Sequence, residues 1–215
     1  MSKAPTIEAI TVPGPAGNIE ARLEMPSQDT GEAISVICHP HPQYGGTMDN
    51  KVVHTVAAGF RDCGIPSVRF NFRGVGRSDG AFDGGRGETQ DLGAVLSYVG
   101  ERLPSRDLWL GGFSFGSAIA ARMAQSVPNS GLVLIAPPVT MAYFDDVSLG
   151  GSGLVVHGDQ DQLIPLSAVS AWLQARGIER TLQPVADADH FFHGQLRTLR
   201  ELVVNHLKER LGFTP

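Results

Sequence analysis

The sequence predicts an α/β protein, a mostly parallel β-sheet covered by helices on both faces. Three observations carry this expectation. Short β-rich runs alternate with segments whose apolar residues recur at helical spacing. The run Ala33–Cys38 is apolar along its length, as a strand buried on both faces must be. The 26 glycines and 14 prolines fall between apolar runs rather than in one tract, so they read as turns.

Taken in order, Thr6–Val12 and Asn18–Met25 flank a Pro-Gly-rich turn and form a predicted hairpin. Ala33–Cys38 is the first buried strand. Asn50–Cys63 follows as a helix, with Val52, Val53, Val56, Ala57 and Phe60 on one face. Pro66–Phe72 returns to strand. Thr89–Leu103 places Leu92, Val95, Leu96, Val99 and Leu103 on a helical stripe. Asp107–Phe113 is a strand, Phe115–Val127 a helix and Leu132–Ala136 a strand. Leu154–His157 is a strand, Leu166–Ala175 a helix, Thr181–Ala186 a strand and Phe191–Leu211 a helix. Pro137 to Gly153 carries no clear element. With right-handed crossovers, the loops at the carboxyl ends of the strands gather along one edge, and function is expected there.

The 215 residues suit a single domain spanning 1–215, with enough chain for a sizeable core. A hydrophobic share of 42% against 18% charged excludes a disordered chain. The net charge of −5 offers no basic face for phosphates, so nucleic acid is not an expected partner. Met1 to Pro15 holds Lys3 but no apolar stretch of the secretory kind, and no apolar run reaches the roughly 18 residues of a membrane span. Cys38 and Cys63 have no metal-type spacing and read as reduced thiols. The expectation is a cytoplasmic protein that meets a small-molecule substrate and no membrane; the sequence leaves its oligomeric state open.

Gly112-Phe113-Ser114-Phe115-Gly116 matches G-x-S-x-G, and so does Gly76-Arg77-Ser78-Asp79-Gly80. Context separates them. A nucleophile elbow needs a strand running in and a helix running out. Ser114 has both, whereas Ser78 is followed by Asp-Gly-Ala-Phe-Asp-Gly-Gly, which starts no stable helix. The turn at Ser114 is tight and strains its backbone to positive φ, and Gly112 and Gly116 remove Cβ atoms that would collide as strand meets helix.

A serine hydroxyl needs an imidazole to take its proton, and the imidazole needs a carboxylate to fix its tautomer. Candidates for both are sought in the loops at strand ends downstream of the serine. Asp159 and Asp161 both sit in the polar turn after Leu154–His157. Asp161 is preferred, being nearer the helix start, with Asp159 left to brace the turn. Three histidines follow. His206 falls within a predicted helix and His193 in that helix's first turn, while His190 lies in the loop between strand and helix. His190 is the expected base.

Gly-Phe-Ser-Phe-Gly, His157-Gly-Asp-Gln-Asp-Gln-Leu-Ile-Pro165 and Ala188-Asp-His-Phe-Phe192 together resemble the α/β-hydrolase superfamily. His39-Pro-His-Pro-Gln-Tyr-Gly-Gly-Thr-Met-Asp-Asn-Lys51 and Asn71-Phe-Arg-Gly-Val-Gly-Arg-Ser-Asp-Gly80 resemble a bacterial branch of small, uncapped, dienelactone-hydrolase-like proteins. The resemblance covers nearly the whole chain. It implies an α/β-hydrolase fold with an eight-stranded sheet whose second strand is antiparallel, no cap domain, and esterase-type activity without a defined substrate.

The oxyanion hole should take one donor from the Phe115 backbone N–H. The second should come from the loop after Ala33–Cys38. Pro40 and Pro42 have no N–H, which leaves His41 first, with Gln43 and Tyr44 as alternatives. A metal reading of His39 and His41 needs further ligands that no pattern supplies, and no cofactor motif is present. Arg69, Arg73, Arg77 and Arg86 surround the Gly-rich loop; pairing with Asp79, Asp83 and Glu88 is the expectation over an anionic substrate. Tyr44, Met141, Tyr143 and Phe144 are the candidate lining of a shallow acyl pocket. The expected chemistry is hydrolysis of esters or thioesters by a Ser114–His190–Asp161 triad, with a peptidase or a non-catalytic binder as rivals.

Overall fold

The computed structural model describes residues 4–145, 147, 149, 153–178 and 182–212. Lys3 and Thr181, both used above, lie outside the described residues. Eight strands form one sheet: β1 (Thr6–Gly14), β2 (Gly17–Met25), β3 (Ala33–Cys38), β4 (Ser67–Phe70), β5 (Asp107–Phe113), β6 (Gly131–Ile135), β7 (Gly153–Gly158) and β8 (Leu182–Val185). Their spatial order is β1-β2-β4-β3-β5-β6-β7-β8. β2 pairs antiparallel with both β1 and β4, and the remaining pairs are parallel.

Five helices cover the sheet: α1 (Lys51–Asp62), α2 (Arg86–Arg102), α3 (Phe115–Ala124), α4 (Leu166–Gln174) and α5 (Leu196–Leu211). Leu92, Val95 and Val99 of α2, Ile119 of α3, and Val169 and Leu173 of α4 build the core on one face. Val52, Val56 and Phe60 of α1 join Leu199, Val203 and Leu207 of α5 on the other. Burying both faces explains why β3, β5 and β6 read as apolar runs. The chain reverses its direction of travel across the sheet between β3 and β5, the kind of crevice where ligands bind in open α/β sheets.

Two helix starts differ from the sequence expectation by more than one residue. α2 begins at Arg86 rather than Thr89, because the Glu88 carboxylate accepts from the Gly85 and Asp83 backbone N–H groups at 2.7 and 2.9 Å. α5 begins at Leu196 rather than Phe191. Phe192 and Gly194 have φ of 54° and 73°, which takes the chain off a helical path, so His193 sits in a loop and pairs with Asp189 at 2.6 Å. Among the described residues no helix is long and apolar enough to cross a membrane.

Arg69, Arg73 and Arg86 pair with carboxylates, though not all with those expected; the Arg77 side chain has no carboxylate partner among the described residues, and only its backbone N–H donates, to Glu20 at 2.9 Å. Buried Arg69 donates to Glu24 at 2.6 Å and also reaches the Met48 carbonyl and Asp49. Arg73 makes a bidentate pair with Asp91, the shortest contact 2.8 Å. Only the exposed Arg86–Asp83 pair, at 3.6 Å, follows the sequence expectation. Ser78 is buried and accepts from the Glu20 N–H while donating to the Asn71 carbonyl, a structural role.

His39 closes β3 with both ring nitrogens occupied. Nδ1 faces the Pro40 carbonyl at 2.6 Å, and Nε2 accepts from the Phe72 N–H at 3.0 Å. Burial drives its pKa down to about 4. The unfolded chain takes up this proton near pH 6.5, the folded chain only near 4, so the stability held above pH 6.5 is lost as pH falls. In urea titrations, His39→Gln is expected to flatten this acid loss by about 3 kcal/mol between pH 7 and 4, relative to wild type. Parallel curves for the two proteins would refute the assignment.

Candidate active site

Ser114 stands between β5 and α3 with φ 53° and ψ −121°. The strain is held by neighbours on every side. Its backbone N–H donates to the Ile135 carbonyl at 2.8 Å, and its carbonyl accepts from the Ser117 N–H and Oγ at 2.9 and 2.6 Å. A Cβ on Gly112 would run into the Gly116 backbone, and one on Gly116 into the Cys38 and His39 carbonyls. The first turn of α3 therefore lies against the end of β3, and its positive dipole end faces the serine.

Among the described residues five non-glycine positions have positive φ: Ser105, Ser114, Ala136, Asp187 and Phe192. All but Ser105 lie at the carboxyl edge of the sheet, around Ser114. Backbone strain is thus gathered where the sequence places the site.

His190 is carried by the loop after β8. Its Nε2 lies 3.1 Å from Ser114 Oγ and its Nδ1 2.7 Å from Asp161 Oδ2. Asp161 Oδ1 accepts the Leu163 and Ile164 backbone N–H groups at 2.8 and 2.9 Å. Burial acts to raise the Asp161 carboxyl, but the His190 hydrogen bond and charge and the two backbone donors outweigh it and hold the pKa below the usual range. Behind it, buried His157 donates Nε2–H to the Ile164 carbonyl at 2.8 Å, with Asp161 Oδ2 3.4 Å away. Burial lowers the His157 pKa, so this ring is neutral near pH 7. Asp159 braces the turn by accepting the Asp187 N–H at 2.8 Å, across to the next loop rather than within its own.

The backbone N–H groups of Phe115 and His41 have no intramolecular acceptor among the described residues. Gln43 is excluded as a free donor, because its N–H is given to His41 Nδ1 at 3.2 Å, and the Tyr44 N–H goes to the His41 carbonyl.

A cavity of about 340 Å³ opens over Ser114. Its lining includes His41, Tyr44, Phe115, Met141, Tyr143 and His190. Three of the four predicted pocket residues are therefore present. Phe144 is not: it is buried beneath the 3-10 turn Ala142–Phe144, edge-on to Trp172 with ring centroids 5.4 Å apart. In such a turn neighbouring side chains point to different sides, and the fully apolar ring is the one drawn inward. Sequence reasoning missed Leu163 and Phe191, which also line the cavity. The signal was their adjacency to Asp161 and His190. Tyr44, Met141, Leu163 and Phe191 are four of the exposed large apolar side chains, so the mouth has an apolar rim.

Gly116→Ala tests the contact between α3 and β3. It is expected to cost about 1–3 kcal/mol of stability by overpacking. Where the variant folds, it should lose turnover more than substrate affinity, because the Phe115 N–H moves. An unchanged melting temperature would contradict the contact.

The model of the family described as serine aminopeptidase, S33, matches residues 32–149, more than half of the chain and including Ser114. An α/β serine hydrolase homologue from Coxiella burnetii is 42% identical, with 93% of this chain and 97% of that one covered and a TM-score of 0.89. A lidless α/β serine hydrolase from Xanthomonas campestris is 39% identical over 97% of each chain, with a TM-score of 0.92. An uncharacterized protein of Rickettsia prowazekii is 32% identical over 205 residues, 90% of this chain and 86% of its own length. With an eight-stranded sheet, a strained serine at the β5–α3 turn and these relatives, the chain belongs to the α/β-hydrolase superfamily, in the serine aminopeptidase S33 family, as an α/β serine hydrolase.

Proposed function

We propose that the protein hydrolyses small carboxylic esters or thioesters through an acyl-enzyme on Ser114. The observation that carries this reading is the unbroken hydrogen-bond chain Asp161–His190–Ser114 at the floor of an apolar cavity. With the anionic Asp161 accepting from Nδ1–H, the neutral imidazole presents a lone pair on Nε2 to the serine hydroxyl. Ser114 Oγ attacks the acyl carbon while His190 takes its proton. The carbonyl oxygen becomes an oxyanion held by the Phe115 and His41 N–H groups, each such donor being worth about 2.7–4 kcal/mol. The tetrahedral intermediate collapses, and the departing alkoxide or thiolate receives the proton from His190. Water, deprotonated by His190 in turn, attacks the acyl-enzyme and releases the carboxylic acid and free Ser114.

The family description raises a second reading, cleavage of an N-terminal residue from a peptide. Such a substrate brings an α-ammonium group into the site. Among the described residues that line the cavity, none is Asp or Glu. A desolvated ammonium without a carboxylate partner is costly, which favours uncharged acyl groups.

Short and medium acyl p-nitrophenyl esters, acyl thioesters and aminoacyl amides, assayed side by side, test both readings. Esters or thioesters should turn over and the amides should not; the reverse order would favour the peptidase. Ser114→Ala should lower kcat by about a millionfold. Asp161→Asn should lower kcat by about ten-thousandfold, because the imidazole is then held in the wrong tautomer. A fluorophosphonate should label Ser114 in the folded protein, and failure to label would point to a binding protein without turnover.

A further inference from the structure

The aromatic side chains that line the cavity, with Phe82 and Phe113 packed against them, fall into two groups. Phe113, His190 and Phe191 form one, with ring centroids 5.2–6.0 Å apart. His41, Tyr44, Phe82, Phe115 and Tyr143 form the other, with Tyr44, Phe82, Phe115 and Tyr143 each 4.7–5.9 Å from the His41 ring. The second group holds a hydrogen-bond chain that the hydrolytic steps leave unused.

The polarity of that chain is fixed from one end. A backbone N–H can only donate, so the Gln43 N–H makes His41 Nδ1 an acceptor at 3.2 Å. Burial lowers the His41 pKa, against the opposing charge of Glu88, and keeps the ring neutral near pH 7. The ring proton is therefore on Nε2, which lies 3.0 Å from Tyr143 Oη and donates to it. Tyr143 Oη accepts this bond and keeps its own hydrogen to give. Among the described residues that hydrogen has no acceptor. Burial, with Tyr44 and Glu88 nearby, raises the Tyr143 pKa, so the group stays an O–H. A hydroxyl donor without an acceptor, in the wall of an otherwise apolar cavity, calls for one on the ligand.

We propose that Tyr143 Oη–H is a specificity donor for an uncharged oxygen acceptor, an ether, ketone or hydroxyl, on the substrate's acyl chain. The proposal rests on Ser114 as nucleophile. The acyl side follows from the two groups. His190 has to stand beside the leaving-group oxygen to protonate it, so the leaving group meets the His190–Phe191 side, and the acyl chain is left the side of His41, Phe115 and Tyr143. The acceptor is uncharged because no Lys or Arg is among the described residues that line the cavity. Arg122, the nearby cation, is turned to the Tyr143 backbone carbonyl at 3.2 Å.

Isosteric pairs of p-nitrophenyl esters test this: methoxyacetate against butyrate, methoxypropionate against pentanoate, and levulinate against isocaproate. Comparing each oxygen-to-hydrocarbon ratio of kcat/KM between wild type and Tyr143→Phe cancels the intrinsic reactivity of the esters. The ratio is expected to fall roughly fivefold to tenfold in the variant for at least one pair, the worth of one hydrogen bond in a desolvated site. A variant that moves all esters alike, or none, overturns the proposal. Ser114→Ala separates the two readings. If hydrolysis persists, the nucleophile is misassigned and this inference falls with it. If hydrolysis is abolished while Tyr143→Phe leaves every ratio in place, only the specificity role falls.

Discussion

The close approach of Gly116 to the carbonyls that end β3 sets the geometry of the whole functional edge. It lets α3 start directly over the sheet, which forces Ser114 into positive φ and turns its side chain out of the ladder. It also brings the Phe115 N–H alongside the loop that carries His41, their rings 5.0 Å apart. Because β3 and β5 are neighbours on either side of the topological reversal, no strand lies between the two loops. A side chain larger than hydrogen at position 116 would separate them.

Asp161 and His190 come from farther along the sheet and rely on different forces. Asp161 is fixed by two backbone donors and by His190. These offset a burial that would otherwise favour the neutral acid. His190 is fixed by its loop, whose flanking residues Asp187 and Phe192 both have positive φ. The Asp159 carboxylate ties that loop to the acid turn through the Asp187 N–H. The charges around the Gly-rich loop are spent differently. Arg69 and Arg73 lie in buried pairs with Glu24 and Asp91, and such pairs, once formed, are costly to break.

How much of this could be read from the sequence depended on how local each constraint is. The strands and the Ser114 elbow are written in short spacings, because a steric rule acts within five residues. The proline pair at positions 40 and 42 left His41 as first candidate donor by subtraction, and among the described residues its N–H has no intramolecular acceptor. That Asp161 and His190 stand beside Ser114 was legible because turns at strand ends bring their loops to one edge. Phe144 was not, since which side of a short 3-10 turn faces the core is settled by Trp172, 28 positions on in the chain. Glu24 and Asp91 were missed for the same reason. Ion pairing across strands and helices leaves no spacing signature, whereas the Arg86–Asp83 pair within one turn does.

The strained residues at the carboxyl edge bear on how such a protein changes over time. Ser114, Ala136, Asp187 and Phe192 each hold a conformation worth about 1–3 kcal/mol against folding. Against a total stability of about 5–15 kcal/mol, that is a large tax concentrated in one region. The reserve that covers it comes from the two helical layers, well away from the edge. A lineage whose layers pack better can then tolerate changes at these strained turns that would unfold a weaker relative. How far the carboxyl edge can be altered is therefore limited by the core before it is limited by the edge itself.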